Sequence, residues 1–152
     1  MFLGATALWR ETLAFDFAAY KPYTIRQVVQ GVQVAEDKYI LDMAAPRYRL
    51  AVTFEGQIQE IDPRTKAFIA NWFKAANRYP PELPGWFQRQ ILVRERGSQY
   101  WLPTQEVLIR TLQDECPAGT AILLFAAWLG ADGTKPVFTV NEFECAKNSG
   151  PG

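Results

Sequence analysis

The chain has no histidine, two cysteines and serine only at Ser98 and Ser149. Without histidine there is no Ser-His-Asp triad, no Cys-His pair and no His-ligated zinc or haem. Ser-Lys chemistry needs no histidine, but no Ser-x-x-Lys pattern occurs. The glycines are scattered, and neither G-x-G-x-x-G nor G-x-x-x-x-G-K-[ST] is present, so no nucleotide cofactor is expected. No apolar run approaches the roughly 18 residues of a membrane-spanning helix. Net charge is absent too. Sixteen Lys and Arg balance 16 Asp and Glu, which argues against global attraction to nucleic acid or an anionic membrane.

What remains is ordinary globular composition, 49% hydrophobic and 21% charged, with an unusual aromatic share of 14%. A chain of 152 residues is expected to form one domain and to bury roughly 70% of its unfolded surface. The neutral total hides an uneven distribution. Residues 64–96 carry Arg64, Lys66, Lys74, Arg78, Arg89, Arg94 and Arg96 against Glu82 and Glu95. Residues 97–146 carry Glu106, Asp114, Glu115, Asp132, Glu142 and Glu144 against Arg110 and Lys135. The sequence therefore reads as a basic middle followed by an acidic end.

Hydrophobic periodicity orders the chain into elements. Leu13, Phe15, Phe17 and Ala19 alternate as in a strand, and a helical reading of the same stretch is also open. Thr24 before Ile25, Val28, Val29 and Gly31 predicts a short capped helix. Val32 to Asp42 predicts a hairpin turning near Glu36-Asp37. The clearest strand runs from Arg47 to Ile58, with Tyr48, Leu50, Val52, Phe54 and Ile58 on one face and a bend at Gly56. Asp62 and Pro63 then start a helix with Phe68, Ile69, Trp72, Phe73 and Ala76 in one stripe. Pro80, Pro81 and Pro84 predict an extended connector. Strands follow at Trp86–Glu95 and Gln99–Leu102 around an Arg96-Gly97-Ser98 turn. A second helix is expected over 104–115 with Val107, Leu108, Thr111 and Leu112 inward. Thr120 to Leu129 reads as a strand buried on both faces, then a turn at Asp132-Gly133 and a last strand over 136–144.

These elements predict a single-domain α+β protein. Its core is a small, strongly curved antiparallel sheet or barrel over residues 47–146, with two amphipathic helices near 62–77 and 104–115. Residues 1–46 pack on the same domain as a strand, helix and hairpin, and 147–152 form a tail. From residue 47 to 145 the order resembles an OB-fold, in which a helix plugs a barrel between its third and fourth strands and the first strand is long and bent. The helix near 62–76 is an insertion that this resemblance does not require. It implies an architecture and leaves function open.

Cys116 and Cys145 lie 29 positions apart and match no zinc or CxxC spacing. A disulfide between them would be worth about 3–4 kcal/mol in the chain-entropy model, and two buried thiols fit equally well. Cys116 ends a helix, where the dipole disfavours a nucleophilic thiolate. Ala5-Thr6-Ala7 follows the A-x-A pattern of a signal-peptidase site, so both a cytoplasmic and an exported protein are compatible with the chain. Paired carboxylates, Glu142 with Glu144 and Glu55 with Glu60 and Asp62, are the remaining route to a hydrolase. No metal site is expected.

The candidate ligand surface is the basic aromatic segment: Trp86, Arg89, Arg94, Arg96, Tyr100 and Trp101. Trp, Tyr and Arg anchor protein interfaces, so the leading expectation is a non-catalytic module that binds another protein or a second copy. The alternative is single-stranded nucleic acid, with rings stacking bases and cations tracking phosphates.

Overall fold

The computed structural model describes residues 15–32, 37–77 and 83–146. In chain order they form β1 (Lys21–Tyr23), α1 (Ile25–Gln30), β2 (Tyr39–Leu41), β3 (Arg47–Glu60), α2 (Pro63–Ala75), β4 (Arg89–Glu95), β5 (Ser98–Thr104), α3 (Glu106–Glu115), β6 (Thr120–Asp132) and β7 (Lys135–Cys145). Short 3-10 turns occupy Phe17–Ala19 and Leu83–Trp86.

β3 organises the barrel. Its alternation buries Leu50, Val52 and Phe54 on one face. Residues 47–54 pair with β6, and residues from Thr53 to Glu60 pair with β4. One strand can serve both neighbours because it bends between Phe54 and Ile58, where the register shifts. Gly56 sits in that bend at φ 87°, and a Cβ there would lie 2.5 Å from the Ala118 Cβ. Glycine alone satisfies both the positive φ and the close approach. The sheet closes in the order β3-β4-β5-β7-β6-β3, with one parallel joint at Thr104 and Val140. This closed five-stranded barrel is consistent with OB-like architecture. β1 and β2 extend it, pairing with β3 and β6.

Two helices close the barrel core. The Thr24 hydroxyl and the Gln27 side chain form a capping box on α1. Buried Glu95 accepts from the amides of Ile25 (2.9 Å) and Arg26 (3.1 Å), which fixes α1 to the tip of β4 and β5. Ile25 and Val28 then join the core of Leu50, Ile91, Leu102, Leu124 and Phe138. α3 buries Ile109 and Leu112, and its C-cap, Cys116, is disulfide-bonded to Cys145 at the end of β7.

α2 packs outside the barrel. Asp62 caps it by accepting from the Thr65 amide at 3.0 Å, and Pro63 occupies the first turn. Its stripe of Phe68, Ile69 and Trp72 forms a second cluster with Ile61, Phe87, Leu129 and Val137. Two contacts bind it to the β6–β7 turn, Arg64 to Asp132 (2.7 Å) and Lys135 to Asp62 (2.9 Å). Burial would raise the Asp62 carboxyl, but hydrogen bonds from Lys135 and Thr65, with the Lys135 charge, hold it down at about 2.

Several expectations need correction. Phe17–Ala19 is a 3-10 turn, and the rest of the alternating stretch before Phe15 lies outside the described residues, as do Ala5-Thr6-Ala7 and the 147–152 tail. The proposed 32–42 hairpin is replaced, where described, by β2 pairing with β6, and its turn at residue 36 is not described. Trp86 belongs to a turn and not to β4, because Pro84 and Gly85 precede it. Pro84 lies in that turn too, so it is not extended, while Pro80 and Pro81 are not described. On α3, Leu112 is buried and Leu108 packs on the core as expected, but Ile109 takes the other inward place, whereas Val107 is 74% exposed and Thr111 faces solvent. The two-residue turn between β6 and β7 is Gly133-Thr134, one position later than expected. No described helix is long and apolar enough to cross a membrane.

Candidate functional site

The outer face of β6 and β7 carries residues that alternate with the barrel core, among them Ala127, Leu129, Thr139 and Glu142. Residues 15–20 lie along one side of this face, where Phe15 and Tyr20 contact Phe125 edge-on. α2 and Phe87 lie along another. Between them is a cleft of about 370 Å³, within the ~300–1,000 Å³ range of ligand pockets.

Five rings line this cleft: Phe15, Tyr20, Trp72, Phe73 and Phe87. They are held in place by one another. Phe15 stacks on Tyr20 at 5.0 Å, Trp72 meets Phe73 edge-on at 5.1 Å, and Phe73 stacks on Phe87 at 6.2 Å. The Trp72 indole N–H donates to the Asp42 carbonyl at 2.8 Å, which anchors the α2 wall to the chain after β2.

A few polar groups complete the lining. Gln105 donates to Asn141 at 3.2 Å, and Asn141 donates to the Tyr20 hydroxyl at 3.2 Å. This chain fixes both amides and the tyrosine. The Arg47 guanidinium lies 6.0 Å from the Tyr20 ring centroid and has no carboxylate partner among the described residues. Thr139 is only 3% exposed, and its hydroxyl makes no hydrogen bond among the described residues. The cleft therefore pairs an apolar wall with an unpaired cation, Arg47, an unpaired carboxylate, Asp16, and one unbonded hydroxyl, all judged among the described residues.

The six residues singled out from the sequence do not form one groove. Trp101 and Arg94 share the outer face of β4 and β5, because Trp101 pairs with Leu92 and Arg94 with Gln99. Tyr100 pairs with Val93 and packs against the barrel core. Arg89 is held by Glu106, with Nε 2.9 Å from Oε2 and 3.2 Å from Oε1. Hydrogen bonding to Glu106 raises the Arg89 pKa further. Arg94 is paired with Glu55 at 3.3 Å. Arg96 occupies the β4–β5 turn at φ 51°, and Trp86 is 43% exposed in its own turn.

The same contacts discharge much of the basic middle. Arg64, Arg89 and Arg94 are in ion pairs, and Lys66 donates to Gln88 at 3.3 Å. Arg78 is outside the described residues. Of the candidate acids, Glu55 and Asp62 are engaged, while Glu60, Glu142 and Glu144 are in no ion pair among the described residues. Glu55 holds Arg94 and Gln99, and Asp62 is a helix cap with a lowered pKa, the opposite of a general acid.

Sequence reasoning reached Trp72 and Phe73 through the helical stripe but missed Arg47, Gln105, Thr139 and Asn141. These residues come from separated strands, and no local pattern connects them. The one available signal is Arg47 at the start of an alternating strand, on the face opposite its apolar residues. No family model matches the chain, and a search of curated proteins finds no match.

Proposed function

We propose that the chain is a non-catalytic binding module that acts on another protein. The cleft seats an apolar or aromatic side chain of that partner next to an acidic group. The observation that carries this reading is the unpaired Arg47 and the unbonded Thr139 hydroxyl at the edge of a five-ring wall. Interfaces draw most of their energy from a few buried anchors in such pockets. An acidic group on the partner would satisfy Arg47 directly, and Tyr20 beneath it restricts the guanidinium in advance.

The test uses anilinonaphthalene sulfonate, whose fused rings and sulfonate mimic an apolar group beside an acid. Saturable dye fluorescence is expected from the folded chain, weakened about tenfold by Arg47→Ala. Equal binding by wild type and by Arg47→Ala and Phe73→Ala variants would remove the cleft as the seat.

A second reading, single-stranded nucleic acid on the outer face of β4 and β5, is favoured by one observation. Trp101 and Arg94 share that face, which is where OB-folds bind oligonucleotides. The Glu55 pairing weakens it. A steep fall of oligonucleotide affinity with salt would support it, and no binding at low salt would end it.

A further inference from the structure

A second concavity lies at the far end of β6, between α3 and the ends of β6 and β7. Its volume is about 1150 Å³, larger and shallower than the cleft. Its apolar lining comes from Val107 and Leu108 of α3, from Leu123 on the outer face of β6 and from Phe143, which turns toward the barrel core. Val107 and Thr111 fall one helical turn apart, so they and Glu115 present one row along the groove, while Ile109, Leu112 and Cys116 point to the core. The bond between Cys116 and Cys145 joins the end of α3 to the end of β7, so both walls are fixed before anything binds.

The groove carries charge of one sign. Glu115, Glu142 and Glu144 line it, and none has a cationic partner among the described residues. Glu142 accepts from the Phe143 amide at 3.0 Å, which orients its carboxylate along the strand. Arg110, the cation of α3, sits beside this row, about 60° around the helix from Val107, but does not line the groove. An apolar floor with an uncompensated acidic rim matches one kind of occupant. It matches an apolar segment flanked by lysine or arginine, and it rejects an acidic one.

We infer that this groove is a docking surface for a basic, apolar peptide segment of a partner protein, separate from the aromatic cleft. The occupant buries aliphatic side chains against Val107 and Leu123, which shares its face with Glu142 and Glu144, while its cations meet the three carboxylates.

The experiment titrates the full ¹⁵N-labelled chain with an amidated peptide alternating leucine and lysine, and with its counterpart carrying glutamate for lysine. Amide shifts are expected at Val107, Thr111, Leu123 and Phe143 with the lysine peptide and none with the glutamate peptide. Combined Glu115→Gln, Glu142→Gln and Glu144→Gln is expected to weaken binding about tenfold and each single substitution to weaken it less, whereas Asp37→Asn, the same change as one of them on a remote turn, leaves it unchanged. Val107→Lys, at a solvent-facing helix position that tolerates the change, should abolish it. Equal binding of both peptides, shifts confined to the cleft, or indifference to the three glutamine substitutions would overturn the inference. Dye binding at the cleft is read out separately, so either site can fail alone.

Discussion

The cleft and the groove occupy opposite ends of one barrel and are built by opposite means. The cleft wall is aromatic, held by ring contacts and by Trp72 bonding to Asp42, and its free charges are the cation Arg47 and the carboxylate of Asp16. The groove wall is mainly aliphatic, held by a covalent bond from Cys116 to Cys145, and its free charges are all carboxylates. The difference teaches that the zero net charge is spatial as well as arithmetic. Three cations of the basic middle, Arg64, Arg89 and Arg94, are held in internal ion pairs, whereas Arg47 in the cleft and the glutamates of the groove are not.

Substitution at the cleft wall should produce the largest effect. Trp72 is 3% exposed, and Trp72→Ala is expected to cost ~3–5 kcal/mol in chemical denaturation while leaving the α3 end intact. Hydrogen exchange should then rise in α2 before α3; a uniform rise would show that the two ends are not independent. Removing the disulfide by Cys116→Ser with Cys145→Ser should cost ~2–4 kcal/mol and loosen α3 and β7 first. A melting temperature unchanged by these substitutions would mean that the bond does not hold the groove.

Gly56→Ala tests the bend that joins the ends. Positive φ and the approach to Ala118 both oppose a side chain, so a loss of ~1–3 kcal/mol is expected. A smaller effect comes from Asp62. Its carboxyl is depressed to about 2, so its contribution is present above the ordinary carboxylate range and is lost as pH falls toward 2. The side chains of Asp62 and Lys135 are 43% and 41% exposed, and screening keeps the effect below ~1 kcal/mol. Asp62→Asn, which retains a capping side chain, should flatten that acid limb without shifting stability much at neutral pH. Smallest of all, Thr139→Val should change stability by less than ~0.5 kcal/mol, because the hydroxyl it removes has no partner to orphan. A loss above 1 kcal/mol would reveal a bond that occupies the hydroxyl and would remove it from the cleft's ligand chemistry.

Much of the barrel was legible because its signals are local. The alternation of β3, the Asp62-Pro63 helix start, the Arg96-Gly97 turn and the nearly continuous apolar run of β6 each specify their own backbone. α3 was placed correctly, with Leu108 and Leu112 inward as expected, but Val107 and Thr111 were assigned to the wrong side. Val107 and Leu108 are apolar next to Ile109 and Leu112, so the helix has two apolar rows, and periodicity cannot say which one faces the core. The misread row is the one that lines the groove. Cys116 and Cys145 left bond and free thiols equally open, since pairing depends on where α3 meets β7. The cleft was hidden for the same reason: Tyr20, Arg47, Trp72 and Thr139 meet only after the barrel closes and α2 docks. Charge counting pointed instead to Arg89 and Arg94, whose partners Glu106 and Glu55 lie far away in sequence.

The most direct test is one amide spectrum of the full chain titrated in turn with anilinonaphthalene sulfonate and with the leucine-lysine peptide. The anionic dye should shift Arg47, Trp72 and Thr139, and the cationic peptide should shift Val107, Thr111 and Leu123, with no residue common to both sets. Both ligands converging on one set, or neither shifting either, would contradict a module with two separate recognition sites.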